Sequence, residues 1–181
     1  MSNTLTTLFN QVPYQQQERT SKLKLMRSIS DLTIEELRSD DPSTIGEYLT
    51  DLALPLVRLR FDRIFLKVTD RKDGSLTIAR IPYSGDPKLL FLRPTFAMCP
   101  TRAPKQQLEG RITRKHLELE IFSTERRRRV PWNLVQEKVE LASEYDLGLI
   151  YDLYPLYEEL RSMAYQEIER RLGTTQEDEA A

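Results

Sequence analysis

The rhythm of apolar and polar positions changes several times along this chain, and each change marks an element. Lys22-Leu23-Lys24-Leu25-Met26-Arg27-Ser28-Ile29 alternates, which predicts a strand with Leu23, Leu25 and Ile29 turned inward. Asp41-Pro42-Ser43-Thr44 is a helix cap. After it, Ile45, Tyr48, Leu49, Leu52 and Leu56 follow at the spacing of one buried stripe, until Pro55 ends or kinks the helix. Arg58 to Thr69 is strand-like, but its apolar set moves from Leu59 and Phe61 to Ile64, Leu66 and Val68. That change of parity predicts a bulge or two buried faces. Asp73-Gly74 is a turn signal, and the return through Leu76, Ile78 and Ile81 completes a hairpin.

Further on, Leu89 to Leu92 is a short apolar run bracketed by prolines, as an edge strand would be. A proline-rich loop follows through Pro100 and Pro104. Alternation resumes at Leu108 and is clearest in Leu117, Leu119 and Ile121 against Glu118 and Glu120, a half-buried strand. Pro131 then opens a helix with Trp132, Val135, Val139 and Ala142 on one stripe and Gly148 past its end. Leu149-Ile150-Tyr151 reads as a last strand. Pro155 starts a second helix that buries Leu156, Leu160, Met163, Ala164 and Ile168 and stops before Gly173. This order predicts an α+β fold: a mainly antiparallel sheet packed against helices, with a helical C-terminal segment.

The ends are polar. Residues 1–20, with Gln15-Gln16-Gln17-Glu18-Arg19-Thr20, are expected as a mobile tail, residues 21–172 as one α+β domain, and residues 173–181 as an acidic tail. A chain of 181 residues suits one core of that size, and 39% apolar with 30% charged residues suits a water-exposed surface. No run approaches the ~18 apolar residues of a spanning helix, and Met1 to Gln17 lacks the basic start and apolar centre of a secretion signal. A reducing compartment is expected, in keeping with the lone Cys99.

Charge alters the picture more than composition does. Residues 1–129 hold 23 Lys+Arg against 16 Asp+Glu and residues 130–181 hold 4 against 12, so net +7 precedes net −8 in a chain of net −1. The boundary is Arg126-Arg127-Arg128-Arg129, followed at once by Val130-Pro131-Trp132. With Lys105, Arg111, Arg114 and Lys115, these arginines form a candidate site for an anionic partner: a nucleic acid, a lipid surface or an acidic subunit face. They precede a helix, where the dipole disfavours cations, so an outside contact is expected to favour them. Trp132, Tyr154 and Tyr157 are the candidates for self-association.

Catalytic chemistry finds little support. Only Cys99 and His116 are available as soft ligands, too few for a zinc site, and the six glycines are scattered rather than grouped in a phosphate loop. Glu118 and Glu120 share one strand face, as a metal-dependent nuclease would need, although as solvated outward positions they need no such role. Tyr154-Pro155-Leu156-Tyr157 resembles a Tyr-Pro-spacer-Leu budding motif, yet the helix accounts for each of its residues. Val12-Pro13-Tyr14 is half of a Pro-Pro-x-Tyr ligand. No cofactor, metal or small-molecule substrate is expected.

From Leu108 to Asp152 the chain resembles the C-terminal half of rhabdovirus matrix proteins. The likeness lies in Glu109-Gly110-Arg111, the strand Leu117-Glu118-Leu119-Glu120-Ile121-Phe122, Trp132 opening a helix with Lys138, and Gly148-Leu149-Ile150. The resemblance implies a non-enzymatic structural protein that self-associates, condenses the viral nucleoprotein–RNA coil and links it to the inner face of a membrane, in the virion and the host cytoplasm. The lysine cluster and complete Pro-Pro-x-Tyr motif of animal-virus members are missing, as a plant-infecting member would explain. A cellular nucleic-acid- or protein-binding adaptor domain is the first alternative, and a metal-dependent nuclease the second.

Overall fold

A computed structural model describes residues 6–9, 12–124 and 130–179 of the chain. In chain order the elements are β1 (Thr6–Thr7), β2 (Val12–Pro13), α1 (Tyr14–Ser30), α2 (Ile34–Leu37), α3 (Pro42–Ala53), β3 (Arg58–Leu59), β4 (Phe65–Arg71), β5 (Gly74–Ser84), β6 (Leu92–Arg93), β7 (Glu109–Ile112), β8 (His116–Ser123) and α4 (Trp132–Glu179). The fold is α+β, an antiparallel sheet with helices and a long C-terminal helix. Where one domain was expected between two tails, the chain divides into two compact units, Met1–Pro13 with Val57–Asp152 and Tyr14–Leu56 with Leu153–Ala181.

The first unit is built on a six-stranded sheet of order β1-β7-β8-β5-β3, with β4 also paired to β5. The Asp73-Gly74 hairpin forms as predicted, its register running from Phe65 opposite Arg80 to Arg71 opposite Gly74. Glycine is required there by close approach, since a Cβ would lie 2.1 Å from the Ser123 carbonyl oxygen. The parity change between Phe61 and Ile64 also has its cause: a 3-10 turn, Phe61–Arg63, separates β3 from β4 and resets which side chains face in. The core gathers Ala79, Ile81, Leu117, Leu119 and Ile121 from the central strands with Leu8, Phe9, Leu90 and Leu108, and with Val135, Ala142 and Leu149 of α4.

In the same unit the proline-rich segment is strapped down rather than loose. The Thr95 N–H and Oγ1 donate to Asp152 at 2.5 and 2.8 Å, and the Tyr145 hydroxyl donates to the Gln106 carbonyl at 3.0 Å. Phe9 stacks on Tyr145 at 5.1 Å, and Phe96 meets the same ring edge-on at 6.1 Å.

The second unit is helical. Thr33 and Glu36 close a capping box on α2, and the Asp41 side chain accepts from the Ser43 and Thr44 N–H groups at the start of α3. Arg171 donates to the Ile29 and Leu32 carbonyls, placing a cation at the C-terminal end of α1, where orphan carbonyls and the dipole both favour it. Lys22 bridges Glu18 and Glu159, each at 2.7 Å.

Four expectations are corrected. The strand predicted from Leu23 to Ile29 is part of α1. Ser21, Leu25 and Ile29 form its buried stripe at a spacing of four, while Leu23 is 64% exposed. The helix begins at Tyr14, within the stretch expected as a mobile tail, and Val12–Pro13 pairs with Leu92–Arg93. Leu89 to Leu92 is mostly a 3-10 helix, Pro87–Phe91, because the Asp86 side chain caps it by accepting from the Lys88 N–H at 2.9 Å. Finally, the two C-terminal helices and the strand between them are one helix of 48 residues that passes Gly148, Pro155 and Gly173 and includes the acidic end to Glu179.

Candidate functional site

Counting charge by folded unit changes its division. The sheet unit holds 19 Lys+Arg against 13 Asp+Glu, net +6, and the helical unit holds 8 against 15, net −7. Residues 14–56 lie on the basic side of a division by position, yet they belong to the acidic unit. Both units carry charges of both signs, but their net charges are opposite, a condition that favours long-range attraction between copies.

The described members of the expected cationic cluster lie on β7, on the turn that follows it and in the proline-rich segment. Arg114 and Lys115 stand exposed on the β7–β8 turn. That turn is held by Thr113, whose N–H donates to the His116 carbonyl at 2.9 Å and whose own carbonyl accepts from the Tyr83 hydroxyl at 2.6 Å. Arg111 on β7 is engaged with Glu120 at 3.1 Å. Lys105 is exposed in the strapped segment. Arg126 to Arg129 lie outside the described residues. The strand leading to them, β8, spans 8 residues, so its end at Ser123 is roughly 25 Å from the turn bearing Arg114 and Lys115.

At that far end Ser123 pairs with Ser75, immediately beside the β4–β5 turn, where Arg71 and Lys72 are exposed. Arg71 and Lys72 are not among the cations that the sequence pattern singles out. The signal was available in the Asp73-Gly74 hairpin, but only the pairing of β5 with β8 brings that turn to the end where β8 leaves the sheet.

Glu118 and Glu120 do share a face, but they are not the solvated positions expected. Glu118 is buried and accepts from Arg80 Nε at 2.8 Å, and Glu120 holds Arg111. Each carboxylate is thus compensated by a neighbouring strand's guanidinium. Cys99 lies against the Thr101 hydroxyl at 3.1 Å, and His116 meets the Phe65 ring edge-on at 6.5 Å. No group of three His, Cys, Asp or Glu among the described residues has the arrangement to hold a metal ion.

The self-association candidates fall in different units. Trp132, expected on the buried stripe of its helix, is 67% exposed at the start of α4. Tyr154 is exposed in the helical unit, and the Tyr157 hydroxyl donates to Asp51 at 2.7 Å. Burial, and after it the Asp51 carboxylate, hold the Tyr157 pKa above its ordinary value, so this phenol serves its own unit's packing. One further group is unusual. Asp146 on α4 is buried, its Oδ1 has no hydrogen-bond partner among the described residues, and desolvation raises its pKa to about 7.

No protein-family model, curated protein or solved structure matches this chain. Among the described residues, no helix is long and apolar enough to cross a membrane.

Proposed function

We propose that this chain is a non-enzymatic assembly protein of the viral matrix type. It self-associates and holds a ribonucleoprotein against an anionic membrane surface, in the virion and the host cytoplasm. The observation that carries this reading is the division of charge into units of net +6 and −7. A copy with units of opposite net charge attracts its own kind and still leaves basic groups for a polyanion. Arg71, Lys72, Arg114 and Lys115, and in sequence Arg126 to Arg129, are the groups for phosphate. The pairing of Glu118 and Glu120 with arginines weighs against the nuclease reading.

The test is light scattering of the full chain across salt and protein concentration, with and without single-stranded RNA and anionic vesicles. The expected result is a mass that grows with concentration in low salt, shrinks in high salt, and binds RNA without a divalent metal. Replacing Arg126 to Arg129 by serine should flatten the slope of log affinity against log salt by up to about 3, since each phosphate contact on a single strand contributes about 0.7. A chain that stays monomeric at high concentration in low salt overturns self-assembly, and metal-dependent RNA cleavage would favour the nuclease.

A further inference from the structure

We infer that a groove between α2 and α3 of one copy receives Trp132 of a second copy, an inference that rests on the self-association reading. The groove has a volume of about 380 Å³ and lies wholly within the helical unit. Leu32, Ile45, Tyr48 and Leu49 supply its apolar lining, and Glu36 and Asp40, both exposed, line it as well. Its origin is visible in the sequence. Ile45, Tyr48, Leu49 and Leu52 form the apolar stripe of α3, but the unit's own core covers only Leu49 fully, leaving Tyr48 62% and Leu52 43% exposed. A lone exposed apolar side chain is ordinary, whereas a concave apolar site with an aromatic in its lining is the usual form of a docking surface.

The two carboxylates choose the occupant. Glu36 is held ionised by the Thr33 N–H and hydroxyl at 2.7 and 3.0 Å, and Asp40 is exposed beside it, so the groove calls for an apolar anchor flanked by cations. Trp132 has that character: it is 67% exposed and follows four arginines, Val130 and Pro131 in sequence. Tryptophan is among the residues that most often dominate interface energy. The unit bearing Trp132 is net +6 and the unit bearing the groove net −7, which favours a second copy as occupant. Trp132 and the groove are different surfaces, so the contact is head-to-tail and builds rings or open filaments.

The test uses sedimentation velocity of the full chain in low salt, with Trp132→Ala as one variant and Asp40→Arg with Tyr48→Ala as the other. All three positions are exposed, so unchanged thermal unfolding should confirm the fold; if Tyr48→Ala proves destabilising, Asp40→Arg alone serves. Each variant by itself should self-associate about thirtyfold more weakly than wild type. An equimolar mixture should recover dimers, because one partner keeps the groove and the other keeps the tryptophan. Variants that assemble like wild type, or a mixture that yields no dimers, overturn this contact and leave self-association standing. A monomeric wild type overturns both.

Discussion

At Gly148 a methyl group would lie 2.5 Å from the Phe96 ring, closer than any relaxed contact allows. This glycine therefore marks a notch for an aromatic ring rather than the end of a helix. Alanine would raise helix propensity by about 1 kcal/mol, yet displacing Phe96 costs more, so Gly148→Ala should destabilise by roughly 2 kcal/mol net. In a thermal melt that is a fall of about 4–8 °C. Asp146, two residues earlier, should govern the pH dependence of stability. Desolvation lifts its pKa from 3.8 to about 7, so the folded chain keeps a proton that the unfolded chain releases between those values. Stability is then unimpaired below about pH 4, declines as pH rises through this window, and is lower by roughly 4 kcal/mol above about pH 7. Glu36 and Glu167 shift in the opposite sense, so neither contributes to a decline between pH 5 and 7. Asp146→Asn should flatten the melting temperature across that interval; an unchanged slope would assign it to another group.

Among the elements, α4 shows how tertiary packing overrides local punctuation. Pro155 lacks the N–H that would reach Tyr151, and its ring crowds the preceding turn, yet the helix continues because Leu153, Leu156, Leu160, Ala164 and Ile168 form one buried stripe. The proline is exposed and offers no burial in return. Pro155→Ala should therefore stabilise by about 1–3 kcal/mol and raise helical content, read by circular dichroism during urea unfolding. The same contest explains α1. Lys-Leu-Lys-Leu satisfies a strand's period over four residues, but Ser21, Leu25 and Ile29 satisfy a helix's period over about two turns, and the Gln-rich lead from Tyr14 extends it. Where sequence and structure agree, as in α3 and the β4–β5 hairpin, a side-chain cap or a turn residue acts within a few positions and needs no distant partner.

For the molecule as a whole, association follows from how folding distributes charge and leaves apolar surface. A division at the arginine run assigns residues 14–56 to the basic side, but their helices belong with the end of α4, so the acidic unit draws on both halves of the chain. The salt dependence of assembly and the mixing of complementary variants belong to this scale, because each measures contact between copies rather than the stability of one. Within the sheet unit, β8 sets Arg114 and Lys115 at one end and Ser123 at the other, the end from which the chain continues in sequence toward the arginine run.

By itself the sequence determined the α+β class, the capped α3, the tight hairpin and the strand at Leu117 to Ile121. Each of these depends on periodicity or on a cap or turn acting over a few residues. Tertiary structure alone decided that Gly148 is a notch, that Pro155 lies within a helix, that Glu118 is a buried partner of Arg80, and that Tyr48 and Trp132 remain open. Those outcomes depend on which distant residue arrives opposite each position, and no local pattern encodes that.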